Sequence, residues 1–198
     1  MVNFRSGEGD IRFDEVQLGD LGSCVPVDSS WATSGTLVGA PMWTSPEILM
    51  EIPWNTAADI WSFGAMVRCH CPTLKSCHLT LQLINLIYGG DFNIFLPKDK
   101  SITREQEEYL LEVIKQQYRF FGPFPASFEQ IASPETIGSI LRLMEMIPMD
   151  KLTPFAWVSE KEVCKKDKDF ILKIMKMDWR DRPSAKELLE DEWWTVDN

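Results

Sequence analysis

Apolar side chains recur every three or four residues over much of this chain, the spacing that places them along one face of an α-helix. The clearest examples are Leu110, Leu111, Ile114 and Tyr118; then Ile137, Ile140, Leu141 and Met144; then Phe170, Ile171 and Ile174. The stretch 57–66 is apolar apart from Asp59 and Ser62, as expected for a helix inside a core. The pattern therefore predicts a mainly α-helical fold.

Residues that can cap free backbone N–H groups mark where these helices should begin. Ser, Thr and Asp are favoured at the N-cap, a Glu or Gln three residues later completes a capping box, and Pro suits the first turn. The predicted helix starts are Thr103 with Gln106, Ser133 before Pro134, Asp167, and Ser184 with Glu187.

The N-terminal part has a different pattern. Residues 11–13 and 16–18 alternate apolar and polar side chains, which predicts a short β-hairpin within 1–22. Residues 23–38 are rich in Ser, Thr, Gly and Val without a helical period, and we expect a loop there.

The amino-acid composition excludes several classes of protein. Hydrophobic residues make up 44% of 198 positions, enough for one substantial core. A net charge of −10 argues against nucleic acid or an anionic membrane as partner. No apolar run of about 18 residues and no signal peptide is found, so we expect a cytoplasmic or nuclear protein. The five irregularly spaced cysteines are then expected to be thiols.

Four short motifs follow one another along the chain. They are Asp20-Leu21-Gly22, the stretch 39–47 that ends in Ser45-Pro46-Glu47, the stretch 59–64 that begins Asp59-Ile60-Trp61-Ser62, and the stretch 178–185 with Arg182-Pro183-Ser184-Ala185. In type and order they resemble the Asp-Phe-Gly, Ala-Pro-Glu, Asp-x-Trp-Ser-x-Gly and Arg-Pro-Ser-Ala motifs of eukaryotic serine/threonine protein kinases. The resemblance implies that 1–198 is a partial protein kinase domain: hairpin and Asp-Leu-Gly in 1–22, activation segment in 23–47, and helical C-terminal lobe in 48–198.

The resemblance also implies roles for single residues. Asp20 would be the ligand of Mg²⁺ bound to ATP, although Asp before Leu-Gly is equally a turn former. Glu47 and Arg182 would form a buried ion pair, against the alternative of two solvated charges. Asp59 would accept hydrogen bonds from the backbone of the His-Arg-Asp loop.

Two further positions bear on regulation and on substrate binding. Thr36 lies where many kinases carry an activating phosphothreonine, although an unmodified hydroxyl is the commoner outcome in a polar loop. Ala40 stands where the family has a threonine that helps to hold the substrate. This difference counts against ordinary positioning of a Ser/Thr substrate.

Much of the catalytic machinery of the family is missing from these residues. Phosphoryl transfer needs a Gly-rich loop, a strand Lys paired with a helix Glu, and a His-Arg-Asp loop. The two histidines, His70 and His78, both follow Asp20, so no complete catalytic set is present. We therefore expect the nucleotide-binding lobe upstream of Met1 and an inactive chain, with ATP and Mg²⁺ binding in doubt. The alternative is a non-catalytic, pseudokinase-like module that binds a protein partner.

Residues 67–82 do not fit the helical pattern. One interpretation is a zinc site from Cys69, His70, Cys71, Cys77 and His78, although the spacing is poor for one tetrahedral centre. The second is a translated intron, because Val67-Arg68 can be encoded by a splice-donor-like GTACGT and Gln82 can end in CAG. The third is a genuine surface insertion. The sequence favours the intron.

Two other stretches indicate a particular group within the kinase family. The stretches 91–95 and 121–125 are similar to the extra C-lobe segment of the group that holds cyclin-dependent, mitogen-activated and SR-protein kinases. This similarity predicts membership of that group.

Overall fold

The computed structural model describes residues 2–4, 13–17, 19, 21–66 and 93–195, and within them the chain is mainly helical. The mainly α class predicted from the apolar spacing is confirmed. The strands are β1 (Val2–Phe4) and β2 (Phe13–Val16). The α-helices are α1 (Ser30–Ser34), α2 (Pro46–Leu49), α3 (Ala57–Met66), α4 (Glu107–Phe121), α5 (Pro134–Met146), α6 (Lys165–Ile174) and α7 (Ala185–Leu189). Short 3-10 turns lie at Leu21–Ser23, Ala126–Gln130, Met149–Lys151, Phe155–Trp157, Trp179–Asp181 and Glu192–Trp194.

Among the described residues, one hydrophobic core joins α3, α4 and α6. Its centre is aromatic: the Trp61 ring stacks on Phe95 at 5.9 Å between centroids and meets the edge of Phe121 at 5.8 Å. Aromatic side chains bury large apolar areas, so this group supplies much of the hydrophobic stabilisation. The apolar face predicted for α6 is confirmed, since Phe170, Ile171 and Ile174 are all buried.

α3 crosses α6 closely at Gly64. A Cβ atom added to this glycine would lie 2.5 Å from Ile174 Cγ2 and 2.5 Å from Met175 Sδ. The absence of a side chain at this position therefore sets the distance between the two helices. Gly138, within α5, has no such neighbour within 4 Å.

One short helix lies where the sequence predicts a loop. α1 falls within 23–38, because Ser29 caps its start by accepting a hydrogen bond from Ala32 N at 3.3 Å. Gly35 ends it at φ 74°, a left-handed conformation that glycine adopts without strain. A single helical turn carries no apolar period, so the pattern could not reveal it.

The predicted helix starts have mixed outcomes. Ser133 and the box of Ser184 with Glu187 are confirmed as caps. The prediction for Asp167 is wrong, because the N-cap of α6 is Cys164 and Asp167 lies buried in its first turn, where it accepts from Trp193 Nε1 at 2.8 Å.

The remaining differences concern helix α4 and two outward leucines. α4 begins at Glu107, later than Thr103 predicts, because a turn closed by Gln106 Oε1 accepting from Thr103 N at 2.6 Å precedes it. Leu111 and Leu141 are exposed rather than buried, since each lies at the edge of its helix's apolar face.

The predicted hairpin of 11–13 with 16–18 is not supported. β2 continues through Asp14 and Glu15, with a shift of the pairing register between them and β1. These two residues offer neither the Gly nor the Asn that a two-residue turn requires. β2 instead pairs antiparallel with β1, with Val2 opposite Val16. Residues 11, 12, 18 and 20 lie outside the described residues, and so do 67–92 with the zinc, intron and insertion interpretations. Among the described helices, none has both the length and the apolar run to cross a bilayer.

We expect Gly64→Ala to lower the free energy of unfolding by about 1–3 kcal/mol, because the added methyl overpacks the contact between α3 and α6. Gly138→Ala is the matched control in an open helical position. It should raise stability by about 0.5–1 kcal/mol, because alanine favours the helix more than glycine does. Urea denaturation followed by circular dichroism measures both changes. Equal effects of the two substitutions would contradict the close contact at Gly64.

Candidate functional site

The structure brings Glu47 and Arg182 together in the interior. Arg182 Nη1 donates to Glu47 Oε1 at 2.8 Å and Nη2 donates to Glu47 Oε2 at 2.7 Å, so the pair is bidentate. Both side chains are fully inaccessible to solvent. A bidentate guanidinium–carboxylate pair fixes the relative orientation of its two partners as well as their distance.

Arg182 uses its remaining N–H groups on backbone carbonyls. Nε donates to Lys176 O at 2.8 Å, Nη1 donates to Ala57 O at 2.9 Å, and Nη2 reaches Met177 O at 3.4 Å. The guanidinium carbon also lies 5.1 Å from the centre of the Trp61 ring, within cation–π range. The buried charge is therefore solvated by protein groups from α2, α3 and the turn after α6.

Local sequence places both members of the pair. Pro46 in the first turn of α2 pre-sets the helical backbone, and Glu47 follows it. On the other side, Asp178 caps the 3-10 turn Trp179–Asp181, and Arg182 follows directly at the end of that turn. Each charge thus lies at the end of a short helical turn, and the turn before Arg182 is capped by a side chain.

Asp178 is itself held by several hydrogen bonds. It accepts from Arg180 N at 2.9 Å, from Arg180 Nη2 at 2.7 Å and from Ser127 Oγ at 2.6 Å. Burial alone would raise the pKa of its carboxyl. The hydrogen bonds and the charge of Arg180 have the larger, opposite effect and lower the pKa to about 2. This carboxylate fixes the turn that presents Arg182.

The segment that leads into α2 has further anchors on the helical core. Gln117 Nε2 on α4 donates to Thr44 O at 2.8 Å in the interior, and Ser62 Oγ on α3 donates to Trp43 O at 2.9 Å. Thr44 Oγ1 closes the loop by donating to Ala40 O at 2.9 Å. The end of the segment 23–47 is therefore held by α3, α4 and Arg182 together.

The earlier part of the same segment is more open. Thr36 is half-buried; its hydroxyl lies 2.9 Å from Ser34 Oγ, and its carbonyl accepts from Trp54 Nε1 at 3.0 Å. Trp31 is 51% exposed and Leu37 41% exposed. Thr36 is thus placed on a held backbone, next to two apolar side chains that face solvent.

The other predicted site residues are not brought to this centre. Asp59 is exposed, yet partial burial by the surrounding protein raises the pKa of its carboxyl. Across the described ranges 21–66 and 93–195, no donor or cation pairs with that carboxyl. Asp20 lies outside the described residues. Within the described part of the chain, no three His, Cys, Asp or Glu side chains come together as a metal site. Mg²⁺ and ATP binding stays a prediction that depends on Asp20.

Sequence reasoning missed three of the residues that hold the site. Gln117 falls between Ile114 and Tyr118 on the apolar face of α4, and a polar residue at such a position is a signal of a buried hydrogen bond. Asp178 two residues before Arg180 has the spacing of a side-chain turn. Ser62 belongs to the motif 59–64, but nothing in that motif indicates its bond to Trp43 O.

No protein-family model matches this chain. The chain is 40% identical to serine/threonine-protein kinase PAK 5 of Rattus norvegicus over 52 residues, which are 26% of this chain and 7% of that kinase. It is 42% identical to serine/threonine-protein kinase pak-2 of Caenorhabditis elegans over 56 residues, or 28% of this chain and 11% of that kinase. It is 30% identical to serine/threonine-protein kinase Nek1 of Mus musculus over 104 residues, or 52% of this chain and 9% of that kinase.

The chain is related to serine/threonine protein kinases. The relationship is local, since the matched segments span about a tenth or less of the length of these relatives. The matched kinases do not support the predicted membership of the group that holds cyclin-dependent, mitogen-activated and SR-protein kinases.

We expect Glu47→Ala and Arg182→Ala each to lower the free energy of unfolding by about 3–5 kcal/mol, because either leaves one buried charge without its partner. The double variant should lose less stability than the two single variants added together, because it leaves no buried charge without a partner. Lys165→Ala, which breaks the exposed pair with Asp169, is the control and should change stability little. Additive losses in urea denaturation would argue against the ion pair.

Protonation of Asp178 should account for part of the stability that the protein loses at acid pH. Because its folded pKa lies below the unfolded value of 3.8, ionised Asp178 stabilises the fold above pH 3.8, and this contribution is lost as pH falls towards about 2. Asp178→Asn should therefore be less stable than the parent at neutral pH, and the difference should shrink between pH 4 and pH 2. A difference that stays constant through this window would show that the carboxylate is not responsible. Thermal unfolding measured across pH gives the comparison.

Proposed function

We propose that this chain supplies the activation segment and helical C-terminal lobe of a serine/threonine protein kinase domain, within a protein that phosphorylates protein hydroxyls. The observation that carries the proposal is the buried pair of Glu47 with Arg182. It joins two motifs far apart in the sequence that resemble kinase motifs, and local segments of the chain are related to serine/threonine kinases. Hydrogen bonds from Gln117 and Ser62 support the same placement of the segment.

The surface that would meet a protein substrate is the segment 23–47. Its end is held by the core, while Thr36, Trp31 and Leu37 stay accessible. A rigid base with open apolar side chains suits binding of an extended polypeptide. Phosphorylation of Thr36 would add a doubly charged group to this surface and so change its affinity for partners.

Residues 1–198 alone are expected to be catalytically inactive. Phosphoryl transfer depends on positioning and on electrostatic stabilisation of the transferring group. The chain contains no His-Arg-Asp base and no Gly-rich loop, and Asp20 is its one candidate metal ligand from the family pattern. Mg²⁺ bound to ATP would supply charge neutralisation of the phosphates in the intact domain.

The second candidate function is a non-catalytic protein-interaction module. Two observations favour it: Ala40 replaces the threonine that helps to hold the substrate, and the segment 23–47 exposes Trp31 and Leu37. Exposed aromatic side chains often dominate binding to a protein partner. In this function the helical lobe acts as a scaffold for the segment.

We expect purified 1–198 to transfer no measurable labelled phosphate from ATP to a generic protein substrate. Its signal should be the same as that of the Asp20→Asn variant. The reason is the missing base and phosphate-binding elements. Glu51→Gln, an exposed acidic residue beyond the segment, is the control for loss of one negative charge. Transfer that Asp20→Asn abolishes and Glu51→Gln preserves would contradict the expectation that residues 1–198 are inactive alone.

A further inference from the structure

The short helix α1 and its flanks carry large apolar side chains that face solvent. Val27 is 55% exposed, Trp31 51% and Leu37 41%. Asp28, which lies three residues before Trp31, is also exposed. These four side chains make up the α1 surface. Exposed aromatic and aliphatic side chains on a stretch with few charges are typical of a surface that a protein partner covers.

The backbone beneath the α1 surface is held by the stretch that follows α2. Trp54 N donates to Ala32 O at 3.0 Å, and Trp54 Nε1 donates to Thr36 O at 3.0 Å. A Cβ atom added to Gly35 would lie 2.4 Å from Glu51 O, so glycine allows the two stretches to approach this closely. The α1 surface is therefore presented on a fixed backbone, which reduces the entropy lost when a partner binds.

This part of the chain carries negative charge and no cation. The sequence has no Lys or Arg in 13–66, and the exposed carboxylates of 21–66 are Asp28, Glu51 and Asp59. In the described part of the chain none of these three carboxylates forms an ion pair. The net charge of −10 adds a long-range field of the same sign.

The charge and the exposed apolar groups together select one class of partner. An acidic polypeptide would meet like charge with no cation nearby to offset it, and a neutral polypeptide would gain nothing from the carboxylates. A Lys or Arg side chain is attracted to both the face of an exposed indole and a neighbouring carboxylate. Trp31 and Asp28 offer these two groups three residues apart.

We propose that the α1 surface binds a basic polypeptide segment in which Lys or Arg side chains alternate with apolar ones. The cationic groups lie against the Trp31 ring and beside Asp28, and the apolar side chains pack on Val27 and Leu37. The proposal rests on the proposed function, in which the segment 23–47 meets a protein, and it specifies the class of polypeptide that the segment takes.

Three labelled peptides of about twelve residues test the proposal. They share the same apolar residues, and their charged positions hold Lys and Arg, Gln, or Glu. Titration with 1–198 at about 50 mM salt, followed by fluorescence anisotropy, should show binding of the basic peptide. The Gln peptide should bind about tenfold more weakly, and the Glu peptide should not bind. Equal binding of the basic and Gln peptides, or no binding of the basic peptide, would overturn the proposal.

Two variants locate the binding to the α1 surface. Trp31→Ala should weaken the basic peptide about tenfold, and Asp28→Asn should weaken it and reduce the dependence of binding on salt. Trp157→Ala and Asp150→Asn change exposed residues outside 21–66 and are the matched controls. Equal losses in Asp28→Asn and Asp150→Asn would show that the peptide responds to net charge alone, and would refute the site.

Sedimentation of 1–198 distinguishes a second copy of the chain from a basic partner. The chain should sediment as a monomer, and a dimer that Trp31→Ala dissociates would overturn the proposal. None of these measurements uses ATP or the pair of Glu47 with Arg182. A negative result would therefore exclude the basic partner while the proposed function stands. Additive losses in the variants of that pair would instead count against the proposed function and leave peptide binding unchanged.

Discussion

The bidentate pair of Glu47 with Arg182 is the constraint on which the arrangement of this chain depends. It fastens the end of the segment 23–47 to the turn after α6, and Arg182 extends the same contact to α3 through Ala57 O. Burying two full charges is unfavourable unless each is fully paired, and such a pair is poor evidence for stability by itself. Its contribution here is geometric, since few other orientations of α2 satisfy both carboxylate oxygens.

The hydrogen bonding of the interior is uneven. Every N–H group of the Arg182 side chain has an acceptor within the protein. Nearby, Ser45 Oγ, Trp61 Nε1 and Gln117 Oε1 are buried without hydrogen-bond partners. The guanidinium and its carboxylate are therefore the fully paired part of the machinery that holds the segment 23–47, in keeping with the high cost of a buried charge that is left unpaired.

Long periodic helices were predictable from the sequence, and short or non-local features were not. The apolar spacing located α3, α4, α5 and α6, and the box of Ser184 with Glu187 marked α7. The single turn of α1 escaped because it carries no period, and the cap of α6 was misplaced because Asp167 serves Trp193 instead. Of the site, the partners of the ion pair followed from the resemblance to kinases. The position of Gln117 on an apolar face signals a buried hydrogen bond, but the partners of Gln117 and Ser62 lie in distant segments, which no local pattern identifies.

The sequence separation between Glu47 and Arg182, 135 residues, has a consequence for the order in which the chain can mature. During synthesis the segment around Glu47 leaves the ribosome long before Arg182 exists, so its carboxylate has no counter-charge and must remain hydrated. α2 can enter the interior only after the C-terminal turn has arrived. The residues around Arg182 thus complete the placement of a segment made much earlier, and a polypeptide interrupted before Arg182 would expose the incompletely packed segment 23–47 to the quality-control machinery of the cell.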